Sequence, residues 1–429
     1  MARELNSSEI PDGWSYGLLD KYAERCSGHT PSKSFPEYWD GGIKWISLAD
    51  SFRLDKGLVK ETDKEISKLG TENSSAQVHP AGTVVLSRDA GIGKSGVMAE
   101  PMAVSQHFIA WKCDFNNKIH NWFLYNWLQI NKHEFERQAV GSTIKTIGLP
   151  YFKKLKIALP PYEEQRKIAK ILSTWDKAIA TTEKLIETSK QQKKALMQQL
   201  LTGKKRLTNP ETGKAFEEEW EEVTFDDALS KLTDYTANGS FASLAENVKV
   251  YDEPNYSLWI MGRTLKSGKY DEKIRYTDKK GYEFLKKTML FGGELLMPKT
   301  GDVGKAYLFP YLNQKATLAD NVFLLDFKKI INNKFARYFI NAEHFQFQLE
   351  RTMYGTSQKT IVKKSLRKMK LLVPSLPEQE KITKVLDLAV NDIEVFEAKL
   401  THLKQEKKAL MQQLLTGKRR VKVDEMEVA

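Results

Sequence analysis

The twelve-residue string KKALMQQLLTGK stands at Lys193 to Lys204 and again, unaltered, at Lys407 to Lys418. Shifted against itself by 214 positions, the chain aligns without a gap from Gly141 to Arg206 against Gly355 to Arg420. Gly141, Lys145, Thr146 and Ile147 return as Gly355, Lys359, Thr360 and Ile361, and Pro160, Glu164, Gln165 and Ile168 return as Pro374, Glu378, Gln379 and Ile382. Two related units in tandem follow. Upstream the likeness thins: Trp45-Ile46 faces Trp259-Ile260, and AGTVVLSRDAGIGK from Ala81 faces GGELLMPKTGDVGK from Gly292 at a shift of 211. Each half is a divergent region of about 150 residues followed by a tail that repeats much more closely, above all at its two ends. Such a chain keeps an architecture and varies a specificity.

The tails carry a helical signature. Steps of four and three from Ile168 reach Leu172, Trp175, Ile179, Thr182, Ile186, Ser189, Lys193, Leu196 and Leu200. The second copy runs Ile382, Leu386, Ala389, Ile393, Phe396, Leu400, Leu403, Lys407, Leu410 and Leu414. A seam repeating every 3.5 residues predicts a coiled coil rather than an ordinary amphipathic helix. Each helix is expected to start just after Pro161 or Pro377, with glutamates in its first turn, and to end at Thr-Gly amid lysines and arginines, with Gly203 and Gly417 as C-caps. About 40 residues make a rod of about 60 Å, and two such rods in one chain pack most simply on each other as a stiff spacer. Lys193 and Lys407, the sole charges on the seam, are candidates for setting register or orientation.

The divergent regions read as mixed α and β. TVVLS at Thr83 and ELLM at Glu294 predict strands, whereas NKIHNWFLYNWLQI from Asn117 and NKFARYFINAEHF from Asn333 predict helices. LTNPETGKAFEEEW from Leu207 has the composition of a linker, and its Trp220 restarts the pattern that PDGW opens at Pro11. Lysine plus arginine exceed the acids by 67 to 55, a net +12, which favours a polyanionic partner. The two cysteines, Cys26 and Cys113, have no metal-ligand spacing; with no signal peptide and no apolar membrane stretch, the expectation is a cytoplasmic protein without membrane contact.

Catalytic motifs are sought and not found. A Walker loop ending at Gly93-Lys94-Ser95 would need glycine where Arg88 stands, and the second-half counterpart of Gly91-Ile-Gly-Lys-Ser-Gly96, Gly301-Asp-Val-Gly-Lys305, lacks a third glycine. A glycine-rich hairpin turn is the preferred reading, with the retained lysine as a phosphate-backbone contact. Leu159-Pro-Pro-Tyr162 lacks the polar first residue of an adenine-methyltransferase motif, and the other half reads Val373-Pro-Ser-Leu376. Asp271-Glu-Lys273 resembles the tail of a nuclease motif, but its first-half counterpart does not match. The seven histidines form no zinc spacing. No metal site and no catalytic residues are assigned, and the chain reads as a binder.

A region ending in Gly-Ser-Thr-Ile-Lys-Thr-Ile147, then P-P-x-x-E-Q-x-x-I and a long helix ending in M-Q-Q-L-L-T-G-K, all repeated, resembles the specificity subunits of type I restriction-modification enzymes. The resemblance implies an α+β fold of two mixed α/β target-recognition domains joined by two long antiparallel coiled-coil helices, an internal tandem repeat with pseudo-twofold symmetry. The boundaries become 1–157 for the first recognition domain, 158–206 for the first helix, 207–371 for the second domain, and 372–429 for the second helix and tail. It further implies a non-enzyme that binds double-stranded DNA, each domain reading half of a split target, while the helices fix the spacing and dock two DNA methyltransferase subunits and two translocase-endonuclease subunits. This chain would bind no cofactor; S-adenosylmethionine, ATP and Mg²⁺ belong to the partners. Because the two reading regions have diverged, the two half-sites should differ in sequence.

Candidates for DNA contact are Arg88, Lys94, Ser142, Thr143 and Lys145 in the first half, and Lys299, Lys305, Thr356, Ser357 and Lys359 in the second. Lysines would neutralise phosphates and the hydroxyl side chains could reach base edges. Two rivals remain: a stand-alone site-specific DNA endonuclease, which would cut with Mg²⁺ alone, and a coiled-coil scaffold without DNA affinity, which would fail a gel shift at low salt.

Overall fold

The computed structural model describes residues 9–113, 117–141, 145–355 and 359–423. The chain divides into two units, Met1–Glu183 with Ala398–Ala429, and Lys184–Glu397. The division falls inside the two 39-residue helices, Tyr162–Leu200 and Leu376–Leu414. Each unit therefore contains one reading region, one stretch of the first long helix and one stretch of the second.

None of the twenty positions of the 3.5-residue seam is exposed, whereas Glu183, Lys184, Leu185, Glu187 and Thr188, off the seam, are. Within the first unit, Glu164, Asp176 and Glu183 along the first helix meet Arg420, Lys407 and Lys404, in descending order. The two helical stretches of this unit are thus antiparallel, and Ile168 and Leu172 share a core cluster with Met411, Leu414 and Leu415. In the second unit Lys190 meets Glu397 and Arg206 meets Glu378, again antiparallel, with Leu200 and Leu201 clustered with Ile382 and Leu386.

Both helices end as expected, with Gly203 and Gly417 left-handed at φ 69° and 70°. Lys205 N–H returns to the Gln199 carbonyl and Arg419 N–H to that of Gln413, satisfying carbonyls that the helix end leaves open. One start differs from the sequence reading: the second helix begins at Leu376 and Pro377 sits inside its first turn, where the missing N–H has no helical partner to lose.

In the first unit, Ser15–Leu18 pairs antiparallel with Lys156–Leu159, tying the start of the reading region to its end. Between them lie a five-stranded sheet in the order Glu24–Ser27, Phe108–Lys112, Val84–Ser87, Ser95–Met98, Leu58–Val59, and a three-stranded sheet in the order Lys64–Ile66, Trp39–Ile46, Ala103–Val104. The second unit repeats the tie with Glu221–Thr224 against Lys370–Val373. Its sheets are Leu229–Asp234, Val322–Phe327, Leu295–Pro298, Tyr307–Leu308, and Val250–Tyr251, Arg275–Thr277, Ser257–Ile260, Ala316–Leu318, Met289–Leu290. Trp45-Ile46 and Trp259-Ile260, matched in sequence, both lie on strands with a parallel neighbour.

Two expected helices are shorter than the patterns suggested. The first runs Asn121–Ile130, because Asn117 is left-handed (φ 52°) and the backbone of Lys118 and His120 is engaged by Gln165. The second is split into Asn333–Asn341 and Glu343–Glu350 at an extended Ala342. There the Asn341 side chain pairs with both backbone groups of Ala306, at 2.9 and 2.8 Å.

Candidate nucleic-acid interface

The frame that carries each reading region is built by residues that recur at the 214-residue shift. Gln165, buried in the first turn of the first long helix, accepts His120 N–H at 2.8 Å and donates to the carbonyls of Lys118 at 3.1 Å and Pro160 at 2.9 Å. Gln379 accepts Asn332 N–H at 2.8 Å and donates to the carbonyls of Ile330 at 2.9 Å and Pro374 at 2.8 Å. In both units one glutamine grips the entry to the helix behind the sheet. The neighbouring glutamate is clamped by an arginine in fork geometry. Arg420 donates to Glu164 at 2.8 and 2.7 Å, and Arg206 to Glu378 at 2.7 and 2.8 Å, with Trp220 Nε1 adding a third bond at 2.9 Å. The sequence reading gave these helix-end charges a helix-dipole role and did not pair them with one another, although the 214-residue shift aligns each pair with the other.

The glycine-rich segments are hairpin turns, as preferred from the sequence: one joins the antiparallel strands Val84–Ser87 and Ser95–Met98, the other Leu295–Pro298 and Tyr307–Leu308. Gly93 and Gly304 are left-handed at φ 77° and 76°, and a helix packs close against each. A Cβ on Gly304 would lie 2.2 Å from Leu349 Cδ2, and one on Gly93 2.9 Å from Lys132 Cγ. These backbones serve packing rather than a nucleotide's phosphates.

The repeated Gly-Ser/Thr segments are each flanked by a single antiparallel backbone pair. Val140 and Thr146 exchange two backbone bonds at 3.0 Å, and Tyr354 and Thr360 exchange theirs at 3.0 and 2.8 Å. Lys145 and Lys359 are exposed in these segments, while Ser142, Thr143, Thr356 and Ser357 lie outside the described residues. The first unit brings turn and segment together: Ile147 N–H donates to the Arg88 carbonyl at 2.9 Å, and the Asp89 carboxylate takes both the Thr146 hydroxyl and His107 Nδ1. Arg88 is mostly covered, its buried Nε without a hydrogen bond among the described residues and 3.8 Å from the Asp89 carboxylate. Lys94 reaches back to the Ser51 carbonyl at 3.1 Å.

The second unit makes the same connection with different residues. Asp234, at the end of Leu229–Asp234, accepts Lys299 from the turn and Lys363 from beyond the repeated segment, each at 2.7 Å, and the Thr236 hydroxyl at 2.7 Å. Burial alone would raise the Asp234 carboxyl, but the hydrogen bonds from Lys299, Lys363 and Thr236 outweigh it and hold the pKa at about 2. Lys299 also donates to the Asp320 carbonyl at 2.7 Å, so its charge is already engaged within the fold. Lys305 is partly exposed on the turn.

An exposed phenylalanine capped by arginine stands beside each turn, a feature the sequence reading passed over. Arg53 lies 4.4 Å from the Phe52 ring centroid, next to the Ser51 that holds Lys94, and Arg351 lies 4.3 Å from that of Phe347, on the helix whose Leu349 packs on Gly304. Adjacent FR and the i, i+4 spacing of Phe347 and Arg351 were the available signals. Among the described residues no group of histidine, cysteine and carboxylate side chains is arranged to hold a metal, and no helix is long and apolar enough to cross a membrane.

Two duplicated frames under different outer loops are matched by the profile of the type I restriction modification DNA specificity domain, which fits residues 11–191 and again 217–405. The chain belongs to that family. It is 26% identical over 446 residues to the type I restriction enzyme MjaVIII specificity subunit of Methanocaldococcus jannaschii, covering 98% of this chain and 96% of that protein. The MjaIX specificity subunit of the same organism is 23% identical, covering 98% of this chain and 96% of its own. The fold resembles the type I restriction-modification S subunit from M. genitalium, with a TM-score of 0.54 at 15% identity over 99% of this chain and 100% of that one. The HsdS subunit from Thermoanaerobacter tengcongensis gives 0.51 at 16%, over 95% and 98%. As a type I specificity subunit, the chain recognises DNA sequence and is not a catalyst.

Proposed function

We propose that this specificity subunit reads an asymmetric, bipartite target in double-stranded DNA, one half-site per unit, while the long helices hold the halves at a set spacing and dock two methyltransferase and two translocase-endonuclease subunits. S-adenosylmethionine, ATP and Mg²⁺ then serve the docked subunits, and this chain decides where they act. The observation that carries the reading is a frame repeated almost residue for residue, Gln165 and Glu164–Arg420 against Gln379 and Glu378–Arg206, beneath turns held by unrelated side chains. A surface that meets two copies of one partner must appear twice, whereas surfaces that read two different half-sites must differ. Lys145 and Lys359, exposed at matching positions, are the proposed phosphate contacts, with Arg88, Lys94, Lys299 and Lys305 as further candidates on the adjoining turns, of which Lys94 and Lys299 would first have to leave Ser51 and Asp234, and Ser142, Thr143, Thr356 and Ser357 as candidate base readers.

Co-expression with the methyltransferase subunit and mapping of modified adenines across a genome tests the proposal. One split, non-palindromic motif is expected. Lys145→Ala and Lys359→Ala should each weaken binding across all sequences and lower the salt slope by about one. Modification at palindromic or scattered sites would overturn the reading.

A further inference from the structure

Each unit carries an aromatic ring under a guanidinium at a place where the fold gains little from either. Phe52 and Phe347 are 59% and 58% exposed, and a stack of cation on ring in such a position contributes little to stability. The first arginine is nevertheless held from two directions. Arg53 Nη1 donates to the Asp50 carboxylate at 2.8 Å, and Asp50 is itself fully buried and fixed by the main chain, accepting Ser47 N–H at 2.9 Å and Asp63 N–H at 2.8 Å. With the Phe52 ring beside its guanidinium and Asp50 on one nitrogen, Arg53 keeps its Nε–Nη2 edge without a hydrogen bond among the described residues. Arg351 is held by the Phe347 ring alone, and its guanidinium has no hydrogen bond or ion pair among the described residues.

Both pairs adjoin the segments that carry the candidate DNA contacts. The Ser51 carbonyl, next to Phe52, accepts Lys94 from the first glycine-rich turn at 3.1 Å. Gln346, next to Phe347, donates to the Gly304 carbonyl of the second turn at 3.0 Å, and Tyr354, three residues beyond Arg351, forms with Thr360 the backbone pair that flanks Lys359. Phe52 ends the short 3₁₀ helix Leu48–Phe52, whereas Phe347 lies on the α-helix Glu343–Glu350, so the same pairing stands beside each turn on an unrelated element. A guanidinium edge with two parallel N–H groups matches O6 and N7 of guanine in the major groove, and holding that edge in place beforehand lowers the entropy lost on contact. We infer that Arg53 reads a guanine in the half-site of the first unit and Arg351 one in that of the second, with Asp50, Phe52 and Phe347 as positioning residues. Because Arg351 lacks a carboxylate tether, its guanine is the less strictly required. The assignment to half-sites rests on the bipartite reading above.

The test uses the full chain assembled with the methyltransferase subunit, with modified adenines mapped across a genome for the wild type and for variants. In the wild type each half-site is expected to hold a G·C pair preferred about tenfold or more over any other pair. Arg53→Lys keeps the charge but loses the planar fork, and should relax that preference below about threefold at one position of one half-site. Arg351→Lys should do the same in the other half-site only, and Phe52→Ala should relax the Arg53 position by a smaller factor. Each arginine stands or falls by its own half-site. A half-site of A·T pairs alone, weaker modification with an unchanged motif (the mark of a phosphate contact), or a relaxation shared by both half-sites overturns the inference while the bipartite reading stands. If Arg53→Lys yields no modification, Phe52→Ala decides by the same criteria. If the wild type shows no split motif, the bipartite reading falls, and duplexes selected from a random pool by the full chain decide instead. Guanine enrichment that is lost in Arg53→Lys or Arg351→Lys then supports the reader concerned, and enrichment that is absent or retained overturns it.

Discussion

The first and second units hold their reading regions to the long helices by the same residues, and hold their glycine-rich turns in place by different ones. In the first, Asp89 within the turn gathers Thr146 and His107. In the second, Asp234 from a distant strand gathers two lysines. Where the chain must meet a fixed frame the side chains are copied, and where it faces outward only the connection is kept. Even the copied clamp is not quite equal, since the third donor to Glu378 is Trp220 Nε1 at 2.9 Å where Glu164 has the Val421 N–H at 3.4 Å, and its arginine is more covered, Arg206 being 23% exposed where Arg420 is 43%.

The largest effect expected from breaking the comparison lies in that clamp. Arg206→Ala leaves Glu378 buried and nearly unpaired and should destabilise the second unit by about 3 to 4 kcal/mol. Arg420→Ala should cost the first unit about 2 kcal/mol, because its more exposed arginine leaves a site that water can reach. Hydrogen exchange followed separately in strands Val322–Phe327 and Val84–Ser87 measures the difference, and a larger loss for Arg420→Ala would reverse the ranking.

Acid sharpens the contrast next. His79 in the first unit is fully buried with neither ring nitrogen hydrogen-bonded among the described residues, and burial, followed by the Lys112 charge, pushes its pKa down to about 4. A histidine whose folded pKa lies below its unfolded value binds its proton more readily when unfolded. Its stabilisation is therefore complete above about pH 6.5 and falls as pH drops toward 4, by on the order of 3 kcal/mol. Exchange around the His79–Met102 backbone pair should accelerate over that window, and His79→Leu should remove the acceleration.

Asp234 in the second unit has a depressed pKa, so its contribution is complete above about pH 4 and is lost only as pH falls toward 2. Asp234→Asn should cost about 2 kcal/mol at neutral pH and erase that acid step in a denaturation series, while leaving the first unit's melting unchanged.

The smallest effect separates the turns. Gly304→Ala drives a methyl into the buried Leu349, where Gly93→Ala meets the flexible stem of Lys132. The strain of the left-handed backbone is common to both, so about 2 kcal/mol is expected for the first and about 1 kcal/mol for the second, read from urea midpoints.

Periodic features were legible in the sequence because period alone encodes them: the seam from Ile168 to Leu200 and from Ile382 to Leu414, the turns at Gly93 and Gly304, and the two-unit plan. Helix entry was less legible. Asn117 to His120 fit an amphipathic pattern, yet their backbone is held by Gln165, 45 residues away from His120, and no local preference reports such a contact. The same holds for Asp234 with Lys363, 129 residues apart. Arg206 with Glu378 was half legible, since both residues recur at the 214-residue shift though nothing local pairs them. Among the DNA candidates, Lys94 and Lys299 look like free surface charges in sequence and are tied within the fold, a difference that depends on where Ser51 and Asp234 fall in three dimensions.

Among the described residues the side-chain hydrogen bonds of Gln165 and Gln379 all go to main-chain groups. A grip of that kind is blind to side-chain identity. Genetic exchange could therefore graft an unrelated segment between the two ends of either clamp, so long as its backbone returned to the same place, and the hybrid would acquire a new address on the genome in one recombination event.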